Sequence, residues 1–172
     1  MSNEIKTMDQ AVKLMANREG KYLTFILAGE EYGIGILKIK EIIGMMTITT
    51  IPQTPPFVKG VINLRGKVIP VIDLRLKFGM EAMAYTDRTC IVVVEISAES
   101  GNVLVGIVVD TVSEVLNIKA NDIENPPTFG TAMNTEFILG MAKVNGGVKI
   151  LLDIDKVMNS EDIALLPSAA AA

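Results

Sequence analysis

Three aspartates, Asp73, Asp110 and Asp153, each close an apolar run. Carboxylates gathered in one place can act as general acid and base or hold a divalent cation, so a carboxylate- or metal-dependent hydrolase is one reading of the chain. The competing reading is structural. Asp73-Leu74-Arg75-Leu76 and Asp153-Ile154-Asp155-Lys156 both have the form of a helix start, in which the aspartate accepts backbone N–H bonds. Capping and turn formation account for all three residues without chemistry. The remaining repertoire is narrow, because the chain has no histidine, the usual general base at neutral pH and the commonest metal ligand. Ser-His-Asp, Cys-His and His-rich zinc sites are therefore excluded within it. Cys90 is the single cysteine, which rules out a disulfide framework; with only Arg88 near it, it reads as a small hydrophobe. Gly33-Ile34-Gly35 lacks the third glycine and the following helix of a dinucleotide loop, and reads as relief for a barrel bend. No catalytic residue, cofactor site or metal site is expected.

Residues suited to recognition are better represented. Arg65 stands at a turn tip between Leu64 and Gly66, with Lys59 and Lys67 nearby, and arginine is enriched at interaction hot spots. Ten methionines, among them Met45, Met46, Met80 and Met83 near turns, can fill a core or adapt to an irregular partner. With Lys+Arg 16 against Asp+Glu 20 the net charge is −4, so no basic stripe is available for phosphates and nucleic acid is not an expected partner.

The elements that must position these residues are short. Hydrophobic content is 49% and mean hydropathy +0.40, high for a globular chain of 172 residues. Yet Cys90 to Val94 is stopped by Glu95 and Val103 to Val109 by Asp110, far short of the ~20 residues of a membrane helix. The N-terminus has no apolar region of the secretory kind, and a cytoplasmic protein without membrane insertion is expected. Thr7-Met8-Asp9-Gln10 fits a capping box, and Met8, Ala11, Val12 and Met15 recur at helical spacing, predicting a helix within residues 1–20. From Lys21 the pattern is one of strands: a hairpin from Tyr22–Leu27 and Tyr32–Ile36 around Gly29-Glu30-Glu31, then Ile39–Met45, Val58–Leu64, Val68–Ile72, Cys90–Ile96 and Val103–Val109. Pro52, Pro55 and Pro56 fix extended or turning backbone between them. Ser160 offers an N-cap for a last short helix.

The chain repeats itself. Phe57, Gly60, Gly66, Val68 and Asp73 recur as Phe137, Gly140, Gly146, Val148 and Asp153 at an offset of 80 residues, and Gly33, Ile34, Glu41 and Ile42 recur as Gly106, Ile107, Glu114 and Val115 at an offset of 73. Two copies of this size fit two small β-barrels, each too small to bury much surface alone, so they must share a core or pack tightly. The expected fold is all-β, with two packed five-stranded barrels at 21–84 and 85–157, a helical segment at 1–20 and a C-terminal helix and tail at 158–172.

Particular residues carry a resemblance. Glu30-Glu31-Tyr32-Gly33-Ile34, Lys38-Ile39-Lys40-Glu41-Ile42, Phe57 to Gly66 with its Asn63-Leu64-Arg65-Gly66 turn, Val105 to Asp110 with Val112, Ser113 and Val115, and the ending Asn159-Ser160-Glu161 resemble the CheW family over 21–167. The resemblance implies two SH3-like barrels and a non-catalytic chemotaxis adaptor that joins the cytoplasmic tips of transmembrane chemoreceptors to the regulatory domain of the histidine kinase CheA. It carries a receptor-binding role onto Ile39, Glu41, Ile42 and Arg65 of the first copy and Cys90, Val112 and Val115 of the second. It also implies kinase docking through exposed barrel edges, without singling out a strand. A generic β-barrel peptide-binding module outside chemotaxis is the third reading, distinguished by binding one partner rather than two at once.

Overall fold

The computed structural model describes residues 18–99, 101–127, 135–167 and 170–171. The helix expected within 1–20 lies almost wholly outside them. β1 (Gly20–Leu27) and β2 (Glu30–Gly35) form a hairpin across Ala28 and Gly29, both left-handed at φ 50° and 81°. Such a two-residue loop matches the twist of its strands. Glu30 and Glu31, expected in the turn, therefore already belong to β2. A 3-10 turn, Ile36–Lys38, leads into β3 (Ile39–Gly44), followed by β4 (Val58–Leu64), β5 (Lys67–Asp73) and the short helix α1 (Leu74–Lys77). β6 (Cys90–Ala98), β7 (Gly101–Val109), β8 (Thr111–Ile118), the two-residue β9 (Ile123–Glu124), β10 (Ile138–Val144) and β11 (Gly147–Leu152) repeat that order with β9 added. The chain closes with α2 (Ile154–Val157), α3 (Ser160–Ala164) and β12 (Ala170–Ala171).

The strands form two curled sheets, in the orders β8-β1-β2-β11-β10-β9 and β3-β6-β7-β5-β4. A boundary at 84/85 does not divide them. The β1–β2 hairpin completes the sheet otherwise built from residues 111–152, and the β6–β7 hairpin completes the sheet otherwise built from residues 39–73. The two copies have exchanged their first hairpins, and the registers show it. Val71 pairs with Gly106 and Ile72 with Ile107 in parallel, while Leu151 pairs with Gly33 and Leu152 with Ile34, the same pairing carried through the repeat. Gly33 and Gly106 leave room for neighbouring methyl groups at this approach, since a Cβ would lie 2.9 Å from the Leu151 side chain at one and 2.8 Å from that of Ile91 at the other, and those side chains would have to shift. The glycine of the Gly33-Ile34-Gly35 segment is thus a packing residue of a strand.

Alternation along the exchanged hairpins explains the apolar content. On β6, Ile91 and Val93 enter the core of the first barrel with Ile62, Ile69, Val71 and Leu104, whereas Val92, Val94 and Ile96 enter a larger core shared between the barrels. There they meet Leu23, Phe25 and Leu27 of β1 and Ile34 of β2. The second barrel closes over Tyr22, Ile118, Ile123, Ala142 and Leu151. Among the described residues no helix is long and apolar enough to cross a membrane.

Candidate functional site

The Asn63-Leu64-Arg65-Gly66 turn joins β4 to β5 with Arg65 and Gly66 both left-handed, at φ 50° and 87°. The Asn63 side chain holds the turn by accepting the Gly66 N–H at 2.9 Å. Left-handed backbone disfavours a residue with a long side chain, so Arg65 occupies a position where asparagine or glycine is the easier choice. The turn delivers its guanidinium to β3, where Nη1 donates to Glu41 Oε1 at 2.9 Å and Nη2 donates to Oε2. This two-point grip, chiefly its hydrogen bonds, holds the Glu41 carboxyl below its usual 4.5 and raises the Arg65 guanidinium. Arg65 nonetheless stays largely exposed, its side chain 70% accessible.

The pair stands on the rim of a groove of about 520 Å³ at the mouth of the first barrel. Leu64, Ile69, Val93 and Leu104 form its apolar floor, and Lys40, Glu41, Arg65, Lys67 and Glu95 its charged rim. Lys40 pairs with Glu95 at 2.6 Å, and Asn102 donates to the same carboxylate at 2.8 Å.

The other receptor-binding positions implied by resemblance fall on two edge strands. Ile39 and Ile42 lie on β3 with Glu41, the free edge of one sheet, and Val112 and Val115 on β8, the free edge of the other. The repeat relates them pairwise. Ile39 and Val112 both pack against the shared core, as does Cys90 at the start of β6, while Ile42 and Val115 face outward at 43% and 50% exposure. Among the described residues, the hydrogen bonding that joins two of the seven side chains is that between Glu41 and Arg65. Cys90 donates its S–H to the Arg88 carbonyl at 3.2 Å.

The aspartates are occupied by structure, with one departure from expectation. Asp73 caps α1, accepting the N–H groups of Arg75 at 3.0 Å and Leu76 at 3.4 Å, and also accepts the Tyr85 hydroxyl at 2.9 Å. Asp110 accepts Arg75 Nε at 2.7 Å, Arg75 Nη2 at 2.6 Å and the Ala28 N–H at 2.9 Å. Asp153 precedes α2, but its side chain accepts no helix N–H; its carbonyl takes those of Lys156 and Val157, each at 3.0 Å. For α3 the cap is Asn159, one residue before Ser160, in a reciprocal capping box with Asp162. Among the described residues, no three His, Cys, Asp or Glu side chains are grouped to hold a metal ion.

The comparisons agree with one another. The CheW-like domain family matches residues 21–162. The chemotaxis protein CheW of Klebsiella aerogenes is 43% identical over 150 residues, covering 87% of this chain and 88% of its own. That of Helicobacter pylori is 32% identical over 169 residues, covering 94% and 99%. The crystal structure of the scaffolding protein TtCheW from Thermoanaerobacter tengcongensis superposes with a TM-score of 0.74 at 38% identity, covering 87% of this chain and 99% of that one. The chain belongs to the CheW family. It is accordingly a chemotaxis adaptor and not an enzyme, built as the SH3-like double barrel that the resemblance implied.

In this CheW-like chain one conspicuous surface residue was not singled out by spacing. Leu37, on the 3-10 turn between β2 and β3, is 92% exposed, the most exposed large apolar side chain among the described residues. In the sequence it continues the apolar run Ile34-Gly35-Ile36 and looks like core; only the break from strand to turn rotates it outward.

Proposed function

We propose that this CheW-family adaptor couples the cytoplasmic tips of transmembrane chemoreceptors to the histidine kinase CheA, working in the cytoplasm and drawn to the inner face of the membrane through receptor arrays. The observation that carries the reading is that the two copies expose related apolar positions, Ile42 and Val115, on the free edges of separate sheets, with the Glu41–Arg65 pair beside the first. Both positions serve one partner, the receptor, so the kinase docks elsewhere on the adaptor. The receptor's helical tip supplies apolar side chains for Ile42 and Val115 and charges for the Arg65 rim, a helix-in-groove mode in which the apolar contact gives affinity and the rim sets register. Leu37, at 92% exposure, is the strongest place for the kinase's regulatory domain to dock. Each contact is modest alone, and tethering in an array raises the joint strength by about 10²–10⁴.

The test is a reconstituted assay in which this protein, receptor fragments and CheA are combined. Arg65→Glu is expected to keep the fold and to lower receptor-dependent kinase stimulation about tenfold, and Leu37→Ser to weaken CheA binding while receptor binding persists. Unaltered stimulation by Arg65→Glu would remove Arg65 from the site, and failure of the wild-type protein to bind either partner at micromolar concentration would overturn the coupling role.

A further inference from the structure

The duplication provides an internal control for the groove. β5 and β7 pair from Val71 and Gly106 onward, and the unpaired stretch before that point is a wedge bounded by Ile69 and Leu104, both buried and apolar. The repeat carries these two positions onto Lys149 and Glu31. In the second barrel the Lys149 ammonium is bonded to the Glu31 carboxylate from β11 to β2, which zips the equivalent wedge shut. The groove of about 520 Å³ in the first barrel is lined by Ile69 and Leu104 themselves. The first wedge carries an extended segment in place of an ion pair: β12 of this chain pairs antiparallel with β7, Ala170 opposite Leu104 and Ala171 opposite Val103. On the rim, Lys40 and Arg65 are each neutralised by a glutamate, whereas Lys67 has no ion pair or hydrogen bond from its side chain among the described residues.

We propose that the wedge between β5 and β7 is a strand-acceptor site for an extended segment of a partner protein, small or apolar where it crosses Leu104 and Ile69 and acidic where it passes Lys67, and that the chain's own tail is the resident occupant such a segment displaces. This does not rest on the receptor-coupling reading. Strand addition draws its affinity from main-chain hydrogen bonds and its specificity from alternate side chains. Among the described residues the tail pairs with β7 at Ala170 and Ala171, and a segment that carries the ladder past those two positions gains main-chain bonds on replacing it. Its tether gives it an effective concentration of about millimolar, which sets the competition.

The experiment titrates ¹⁵N-labelled full-length chain with an acetylated, amidated pentapeptide of sequence Asp-Val-Ala-Val-Asp, and with the same peptide carrying Lys for Asp. The acidic peptide is expected to shift the amides of Val103, Leu104 and Lys67 and to leave Glu31 and Lys149 unmoved. Lys67→Glu should weaken it about tenfold. The double variant Ala170→Pro, Ala171→Pro, whose tail can no longer donate to the ladder, should bind about threefold tighter. Absence of shifts at Val103 and Leu104 up to about 5 mM peptide in both chains, equal shifts at the second barrel, or equal binding of the basic peptide would overturn the site. Unchanged affinity in the proline variant would overturn the tail's part in it.

Discussion

Arg65 carries a conflict that its counterpart does not. The repeat places Asn145-Gly146 where the first copy has Arg65-Gly66, and Asn145 adopts the same left-handed φ of 50°. Asparagine tolerates that backbone because its short polar side chain satisfies itself locally; arginine gains nothing there from the turn. The arginine is therefore explained by what its side chain reaches, the Glu41 carboxylate and the groove rim. Arg65→Asn is expected to leave the melting temperature unchanged or raise it by about 1–2 °C, while returning Glu41 toward its ordinary 4.5 and lowering receptor coupling as Arg65→Glu does. An NMR titration of Glu41 in the variant checks the electrostatic half; a carboxyl that stays depressed would mean that Arg65 is not its cause. The turn itself was legible in Asn63-Leu64-Arg65-Gly66, but its partner was not. Glu41 lies 24 residues upstream on another strand, and no spacing rule connects a turn tip to the edge strand it folds against.

At the scale of elements, two clasps fasten the exchanged hairpins, and the helix residue at their centre reverses its charge between the copies, from Arg75 to Asp155. In the first, Asp110 on the β7–β8 link grips Arg75 of α1 and the Ala28 N–H of the β1–β2 turn. In the second, the acid is on the helix. Asp155 of α2 pairs with Lys38 of the β2–β3 turn at 2.9 Å and accepts the Ser97 N–H of β6 at 2.9 Å. Burial alone would raise the Asp110 pKa, but the hydrogen bonds from Arg75 and Ala28 and the guanidinium charge outweigh it, and the carboxyl lies below its usual 3.8. A depressed folded-state pKa means that the stabilisation is fully present above the unfolded value and is lost as pH falls through 3.8 toward the folded one. Asp110→Ala should therefore cost about 2 kcal/mol at pH 7, measured by urea unfolding, with the gap between variant and wild type closing below pH 4. A gap independent of pH would assign the loss to packing. Most strands flanking these clasps were legible from β-branched runs and turn residues. β8 was not picked out by pattern, because Ile118 is its only fully buried residue and the apolar alternation is weak. The hairpin exchange was invisible for a different reason. Two copies with matching registers offer each hairpin the same environment in either barrel, so the repeat reveals that β2 must meet a β5-type strand without saying whose.

For the whole molecule, that exchange ties the two barrels together through one shared core. β6 and β7 bury both faces, one set of side chains in the first barrel and the other in the shared core, and this is where much of the 49% apolar content resides. An offset stack of rings, Phe25, Tyr32, Phe78 and Phe137 with centroids 5.9, 6.0 and 5.3 Å apart, runs through the same junction and joins both hairpin and helix-flanking segments. A barrel of about 70 residues buries too small a fraction of its surface to hold itself open for partners on several edges. Fragments 1–84 and 85–172 should consequently be unfolded when made separately, since each contains a hairpin whose sheet lies in the other. In the first, β3, β4 and β5 lack β6 and β7; in the second, β8, β10 and β11 lack β1 and β2. Mixing the fragments is expected to restore a dispersed ¹H–¹⁵N spectrum, and the intact chain to unfold in a single transition seen alike by far-ultraviolet circular dichroism and tyrosine fluorescence. A dispersed spectrum from either fragment as a monomer would show that the barrels stand without the exchange, and the adaptor's exposed edges would then need another source of stability.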